Sequence, residues 1–471
     1  MTLLGYLIII AVWTIWLSSA VRVFYRKNSY NKFLLTSAAI IPFYSVSFGV
    51  LGFQFSVYKI LPLLLLGMFL LSRELIRLKL FVLIAYFFLI SVILYFVALD
   101  EGGFNMAIDL GRSEFRAYAQ PLVQGIFFLA VISQLWVLRQ QVYIDHIKIL
   151  SYFVYACVLL VLIGYIQIFI YFFELPWFGY WWLDDAIGRN NPGGMRTHAM
   201  EAGFYRMSSL AGEPRHFAAV LALSLMLQRY LRTINIAILY INGHRSYLTS
   251  IFLFSGIVLS FSSSGFLAII IGLGLYFLLT DFVKLMLFVG SALVVFVFFS
   301  DFSFFQKIMW KLESLEIALY AVPKDSFALK AIFDSWTHFI VGYGINLADL
   351  FVPDYYLVQE TPFGDRIVNR YESNTHPMES SIVPTSAILQ ILLNGGFVGL
   401  FLVLFFGYKE MRLCRRTTRM FFISLIGMLS VSSSLIFAMA WFLLSVIVSF
   451  EKVVSYRQYR NRNEDHVAVD K

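Results

Sequence analysis

Apolar residues in this chain come in repeated runs of about 15–25, each long enough to cross a bilayer as a helix at about 1.5 Å per residue. The runs fall near 2–20, 33–54, 57–72, 80–98, 121–138, 149–173, 217–231, 247–261, 265–280, 284–300 and 383–407. A last run, 420–450, is too long for one crossing and predicts two short helices turning near Ser432, Ser433 and Ser434. The pattern predicts an all-α, polytopic helical membrane protein of about 12–13 transmembrane helices, the lower count applying if one run is re-entrant. The chain, 1–471, reads as one integral membrane domain.

Composition agrees with the pattern. The 471 residues are 60% hydrophobic and 14% charged, and the mean hydropathy is +0.78, against roughly 45–50% apolar and 25% charged in soluble domains. A net charge of +8 would suit nucleic acid, but its distribution points elsewhere. The segments "RVFYRKNSYNK", "RELIRLK", "RQQVYIDHIK", "QRYLRTINIAILYINGHR" and "KEMRLCRRTTR", with Lys284 and the tail from Lys452, hold 23 of the 36 lysines and arginines. They fall on one side of the predicted spans, and the positive-inside bias makes that side cytoplasmic. The expectation is a multi-pass membrane protein with its N-terminus outside and its C-terminus in the cytoplasm. It binds the lipid bilayer and no nucleic acid. Residues 1–20 end in "SSA" as a signal peptide does, yet they lack a basic start and Arg22 follows, so an uncleaved first span is expected. Two cysteines, Cys157 and Cys414, make no disulfide framework or metal site.

Ionisable residues are nearly absent from the runs, which leaves only Gln124, Gln134, Gln167, Gln228 and some serines as polar groups there. Ion-coupled transporters place Asp, Glu, His or Lys at that depth. Any chemistry is therefore expected on the outer face, in the loops 174–216 and 301–382. The first carries Arg189, Arg196, Arg206 and Arg215, which the positive-inside bias does not explain. Arginine binds phosphate oxygens in bidentate fashion and stays charged.

Within "RMSSLAGEPRHFA", residues 206–218, Pro214 suits a first helical turn. The helix from there points its free N–H groups and positive dipole end outward, beside Arg206, Arg215 and His216. Two readings stand: an anion site, or a capped helix with Glu213 paired to an arginine. "SFSSSGFLAIIIGLG" marks a second outward helix start, where Ser262, Ser263 and Ser264 act either as ordinary caps or on a ligand. The acidic loop 301–382 holds two amphipathic stretches, "FQKIMWKLESLEIAL" and "SFALKAIFDSWTHFIVGYGIN", the second stopping at Gly342 or Gly344. His338 and His376 read as ordinary surface residues. No HExxH, P-loop or CxxC pattern occurs, and the prediction is no metal and no cofactor.

At "RMSSLAGEPRHFAAVLALSL" the chain resembles the O-antigen polymerase and ligase superfamily, with Arg206, Glu213 and Pro214 on the family's Arg…Glu-Pro pattern. "SFSSSGFLAIIIGLGLYFLL", "WTHFIVGYGINLADLF" and "TSAILQILLNGGFVGLFLVLF" are similar to its later elements, so the likeness covers about residues 200–405. Three departures stand out. Thr385-Ser386 replaces a frequent His-Asn, Ser264 stands where an Arg often follows the serine, and Lys330 is the nearest cation to the Gly-x-Gly helix. The resemblance implies a GT-C-like fold and a metal-independent glycosyltransferase, placed in a bacterial inner membrane, joining polyprenyl-diphosphate-linked oligosaccharide units of a surface polysaccharide. The acceptor hydroxyl of such a transfer needs a base, for which Glu213 and His216 are the catalytic candidates, Glu213 also being able to hold an arginine in place. With the outward arginines and helix starts above, the resemblance makes Arg189, Arg196, Arg206, Arg215, Ser263, Ser264 and Lys330 binding candidates, and it implies a chain-length regulator protein as a partner. A ligase is the alternative reading. A glycolipid flippase needs a polar path that the apolar runs lack.

Overall fold

The computed structural model describes residues 3–25, 29–43, 46–50, 53–71, 78–105, 114–139, 144–173, 207, 209–211, 214–234, 245–260, 262–299, 323–351, 356–361, 364–369, 386–412, 414–431 and 435–469. Among them the chain is mostly helical, as the apolar runs require. The helices are α1 (Leu3–Tyr25), α2 (Ser29–Ile40), α3 (Val57–Leu71), α4 (Leu78–Asp100), α5 (Glu114–Arg139), α6 (His146–Phe172), α7 (Pro214–Thr233) and α8 (Arg245–Leu259). They continue as α9 (Ser263–Thr280), α10 (Phe282–Phe299), α11 (Pro323–Asp334), α12 (Trp336–Val341), α13 (Ala348–Phe351), α14 (Ala387–Met411), α15 (Arg416–Val431) and α16 (Leu435–Val469). Five stretches are long and apolar enough to cross a membrane: Lys79–Asp100, Ala117–Leu138, His146–Phe169, Ala387–Met411 and Phe437–Val454. Shorter apolar helices accompany them. In lipid a helix is the way for one segment to satisfy all its backbone groups.

The expected run at 33–54 is not a helix throughout. α2 stops at Ile40, two residues before Pro42, because proline removes an N–H and biases the residue before it away from helix. The chain then forms an antiparallel hairpin, β1 (Ser47–Val50) with β2 (Phe53–Ser56), in the register Val50↔Phe53. At 12 residues α2 is about 18 Å long, too short to cross alone. A second hairpin, β3 (Tyr356–Thr361) with β4 (Gly364–Asn369), lies within the segment 301–382. The all-α class holds for the bulk of the described residues, with these two short hairpins as local exceptions. The final run does divide, into α15 and α16 on either side of residues 432–434.

One end of the bundle gathers the basic segments. Asn31 Oδ1 accepts from the Asp145 amide at 2.9 Å, and His146 Nε2 meets Ser449 Oγ at 2.8 Å. The buried Glu451 carboxylate accepts from Thr418 at 3.1 Å and Tyr230 at 3.3 Å, and pairs with Arg415 Nε at 3.4 Å. Lys79 pairs with the buried Glu410 at 3.2 Å. Between α9 and α10, Asp281 bonds Lys284, and those hydrogen bonds hold its carboxyl below the usual carboxylate range.

At the centre stands α7, with every residue from His216 to Gln228 buried. Small residues let its neighbours close in, as helices in lipid associate by packing rather than by water exclusion. A Cβ on Gly265 of α9 would lie 2.2 Å from Ala218 Cβ, and one on Gly256 of α8 would lie 2.8 Å from Leu221. α5 packs on α16, where Trp441 Nε1 donates to Ile132 O at 3.3 Å.

Candidate functional site

The two helix starts singled out in the sequence are neighbours at the end opposite the basic segments. α7 begins at Pro214 and α9 at Ser263, and the Gly265–Ala218 approach brings their first turns together. Gly265 is required there because the helix axes could not approach so closely around a side chain. Ser262 is the N-cap of α9, its Oγ accepting from the Gly265 amide at 3.3 Å. That is the capping reading for this serine. Ser263 and Ser264 occupy the first turn of the same helix.

A short 3-10 turn, Ser209–Ala211, precedes α7 and is wedged against α6. Ser209 takes φ 49°, in the left-handed region, a conformation that persists only where surroundings over-determine it. Here they do. Its amide donates to Gln167 Oε1 at 2.9 Å, and its hydroxyl donates to Leu160 O at 2.7 Å. The Met207 amide donates to Leu259 O at 3.0 Å. Gln167, seen in the sequence only as a polar group within an apolar run, holds the approach to the α7 start.

Of the predicted site residues, Arg215 and His216 lie in the first turn of α7. Arg215 is half-buried and His216 is 4% exposed, enclosed within the bundle. Glu213, Arg206, Arg189 and Arg196 lie outside the described residues, as does His376. Lys330 lies on α11, away in sequence from both helix starts. Where the resembled family has His-Asn, Ser386 is the N-cap of α14, its Oγ accepting from the Leu389 amide at 3.3 Å. Among the described residues no group of three or more His, Cys, Asp or Glu side chains converges as a metal site would require.

A second irregular element was legible only as a helix stop. Gly342 and Gly344 take φ 81° and 78°, and α14 breaks at Gly396 with φ 60°. The Gly-x-Gly turn docks into that break. Tyr343 N donates to Leu393 O at 2.9 Å, and Asn346 N to Asn394 Oδ1 at 3.2 Å. Ile345 N donates to Ser91 Oγ on α4 at 2.9 Å. A Cβ on Gly342 would lie 2.4 Å from Gly396 N, and one on Gly396 would lie 2.3 Å from Ile340 O. His338 stacks on Tyr343 with ring centroids 3.9 Å apart. The signal for this docking was the Gly395-Gly396 pair inside an apolar run.

The described chain is thus a mostly helical protein with several helices apolar enough for a membrane. It has a paired helix start at one end and a glycine-locked turn docked partway along α4 and α14. No family model, curated protein or solved structure matches it.

Proposed function

We propose that this protein is a glycosyltransferase that polymerises polyprenyl-diphosphate-linked oligosaccharide units on the outer face of a bacterial inner membrane. The observation that carries the reading is the side-by-side start of α7 and α9, with Arg215 in the first turn of α7. Nucleotide sugars are cytoplasmic, so an outward-facing transferase takes a donor already carried across on a lipid diphosphate. The acceptor hydroxyl oxygen bonds to the anomeric carbon while the bond from that carbon to the phosphate oxygen breaks. The bonding pair leaves with the diphosphate. Free N–H groups of two helix starts and the fixed charge of arginine stabilise that growing negative charge. Arg206, Arg189 and Arg196 join them in this proposal, with Ser263, Ser264 and Lys330 as further substrate contacts. The acceptor proton passes to a base. Glu213 fits that role better than His216, which is enclosed.

The reading includes about 12–13 crossings in a GT-C-like arrangement, the segments 174–216 and 301–382 facing outward, and a chain-length regulator as partner. Support for the sidedness comes from the gathering of basic segments at the opposite end. Deleting the gene should leave single repeat units flipped and attached to their final acceptor, giving a one-unit surface glycan. Loss of all attached glycan would assign a ligase instead, and units held on the cytoplasmic leaflet would assign a flippase.

A further inference from the structure

Charge brackets α4, with Lys79 at its start and Asp100 and Glu101 at its end. The stretch between is about 30 Å long at 1.5 Å per residue, the thickness of a hydrocarbon core. Ser91, which accepts from Ile345 N, lies about 13 Å below Asp100 on this scale. α14 gives a second scale, tied to the first by the Lys79–Glu410 pair. Gly396, where the Gly-x-Gly turn docks, lies about 21 Å from Glu410 along that helix. Both scales put the backbone of residues 342–346 well inside the apolar layer.

Irregular backbone survives at that depth only where protein satisfies its polar groups. The amides of Gly342, Tyr343, Ile345 and Asn346 all donate to protein acceptors, the first to His338 O at 2.8 Å. The other side of the segment is open and carries large apolar side chains, with Asp334 and Thr337 also exposed beside them. Phe333, Trp336 and Ile340 are 66%, 79% and 45% exposed. Phe339 stacks on Phe333 and on Phe397 of α14, at 5.6 and 6.0 Å between ring centroids. Phe397, Phe401 and Phe405 are exposed at four-residue spacing, so they form one face of a helix apolar enough to cross a membrane. The aromatic ledge is continuous with that face, and whatever covers one covers the other.

We propose that α12 and the glycine turn form a re-entrant wedge. It enters the membrane leaflet opposite the basic end, between α4 and α14, and rests Phe333, Trp336 and Ile340 on lipid hydrocarbon. The wedge depends on α4 and α14 crossing the membrane and not on the transferase reading. It makes part of the segment 301–382 an embedded element rather than an aqueous loop.

The test uses the full chain in phosphatidylethanolamine–phosphatidylglycerol vesicles, with Trp336→Cys, Ile340→Cys or Phe397→Cys labelled by an environment-sensitive fluorophore. Cys157 and Cys414 are buried, so the unsubstituted protein serves as the background. Labels at 336 and 340 should be quenched at least several-fold more by acyl-chain nitroxide lipids than by headgroup nitroxide lipids, and should resist iodide. A label at Lys148→Cys, on the basic end, should be quenched by iodide. Phe397→Cys fixes the lipid-facing standard on α14 itself. Iodide or headgroup quenching at 336 and 340 beside acyl-chain quenching at 397 would overturn the wedge. So would absence of acyl-chain quenching at 397.

Discussion

Ser209 and Asn346 are the two non-glycine residues with positive φ among those described, at 49° and 55°. Each sits where irregular chain enters the helical bundle, and each is held by a side chain from a helix remote in sequence. Gln167 holds Ser209, and Asn394 holds Asn346. Such conformations cost about 1–3 kcal/mol each, so they mark places where the packing specifies the backbone. The first leads directly into α7 and Arg215. In the proposed reaction, Arg206→Lys keeps the charge but loses the bidentate fork. Polymer length and yield should therefore fall sharply in Arg206→Lys, Arg206→Ala and Arg215→Ala proteins while membrane insertion stays normal. Wild-type polymer on a glycan gel from the alanine variants would remove this site from the reaction.

At the scale of elements, the break in α14 decides how the Gly-x-Gly turn is seated. Helix-breaking glycines are tolerated in apolar helices when neighbours satisfy the freed groups. Here Tyr343 N takes the Leu393 carbonyl and Tyr86 Oη donates to the Gly395 carbonyl at 2.8 Å. Gly396→Ala puts a methyl against Ile340 O and demands a left-handed alanine. That should cost about 2–5 kcal/mol from strain and overpacking together. Thermal unfolding in detergent should show a clear loss for Gly396→Ala, whereas Gly290→Ala, on α10 with open space around it, should leave the midpoint near wild type. Equal midpoints for both variants would mean the turn does not dock in the break.

For the whole molecule, sidedness is the decisive quantity. Asn31–Asp145, His146–Ser449, Glu451 with Thr418 and Tyr230, and Lys79–Glu410 tie the basic segments into one end. The proposed function takes that end as cytoplasmic, following the positive-inside bias. A membrane-impermeant maleimide should label Asn190→Cys and Glu360→Cys in intact cells, and Lys148→Cys only after permeabilisation. Labelling of 148 in intact cells would invert the topology and the proposed reaction with it.

The apolar runs by themselves determined that the described chain is mostly helical, because a segment bounded by lipid must satisfy its own backbone. They determined the division of the last run as well, since 420–450 exceeds one crossing. The "GEP" and "SSSG" starts were legible from proline, serine and glycine chemistry at helix ends. Tertiary structure alone decided that those starts adjoin and that Gly342 meets Gly396. Local sequence does state where a helix can begin or stop. It cannot state which distant group satisfies the turn, because Ile345 and Ser91 stand 254 positions apart and a single such pairing leaves no periodic trace. That choice belongs to packing, where only glycine allows two backbones to touch.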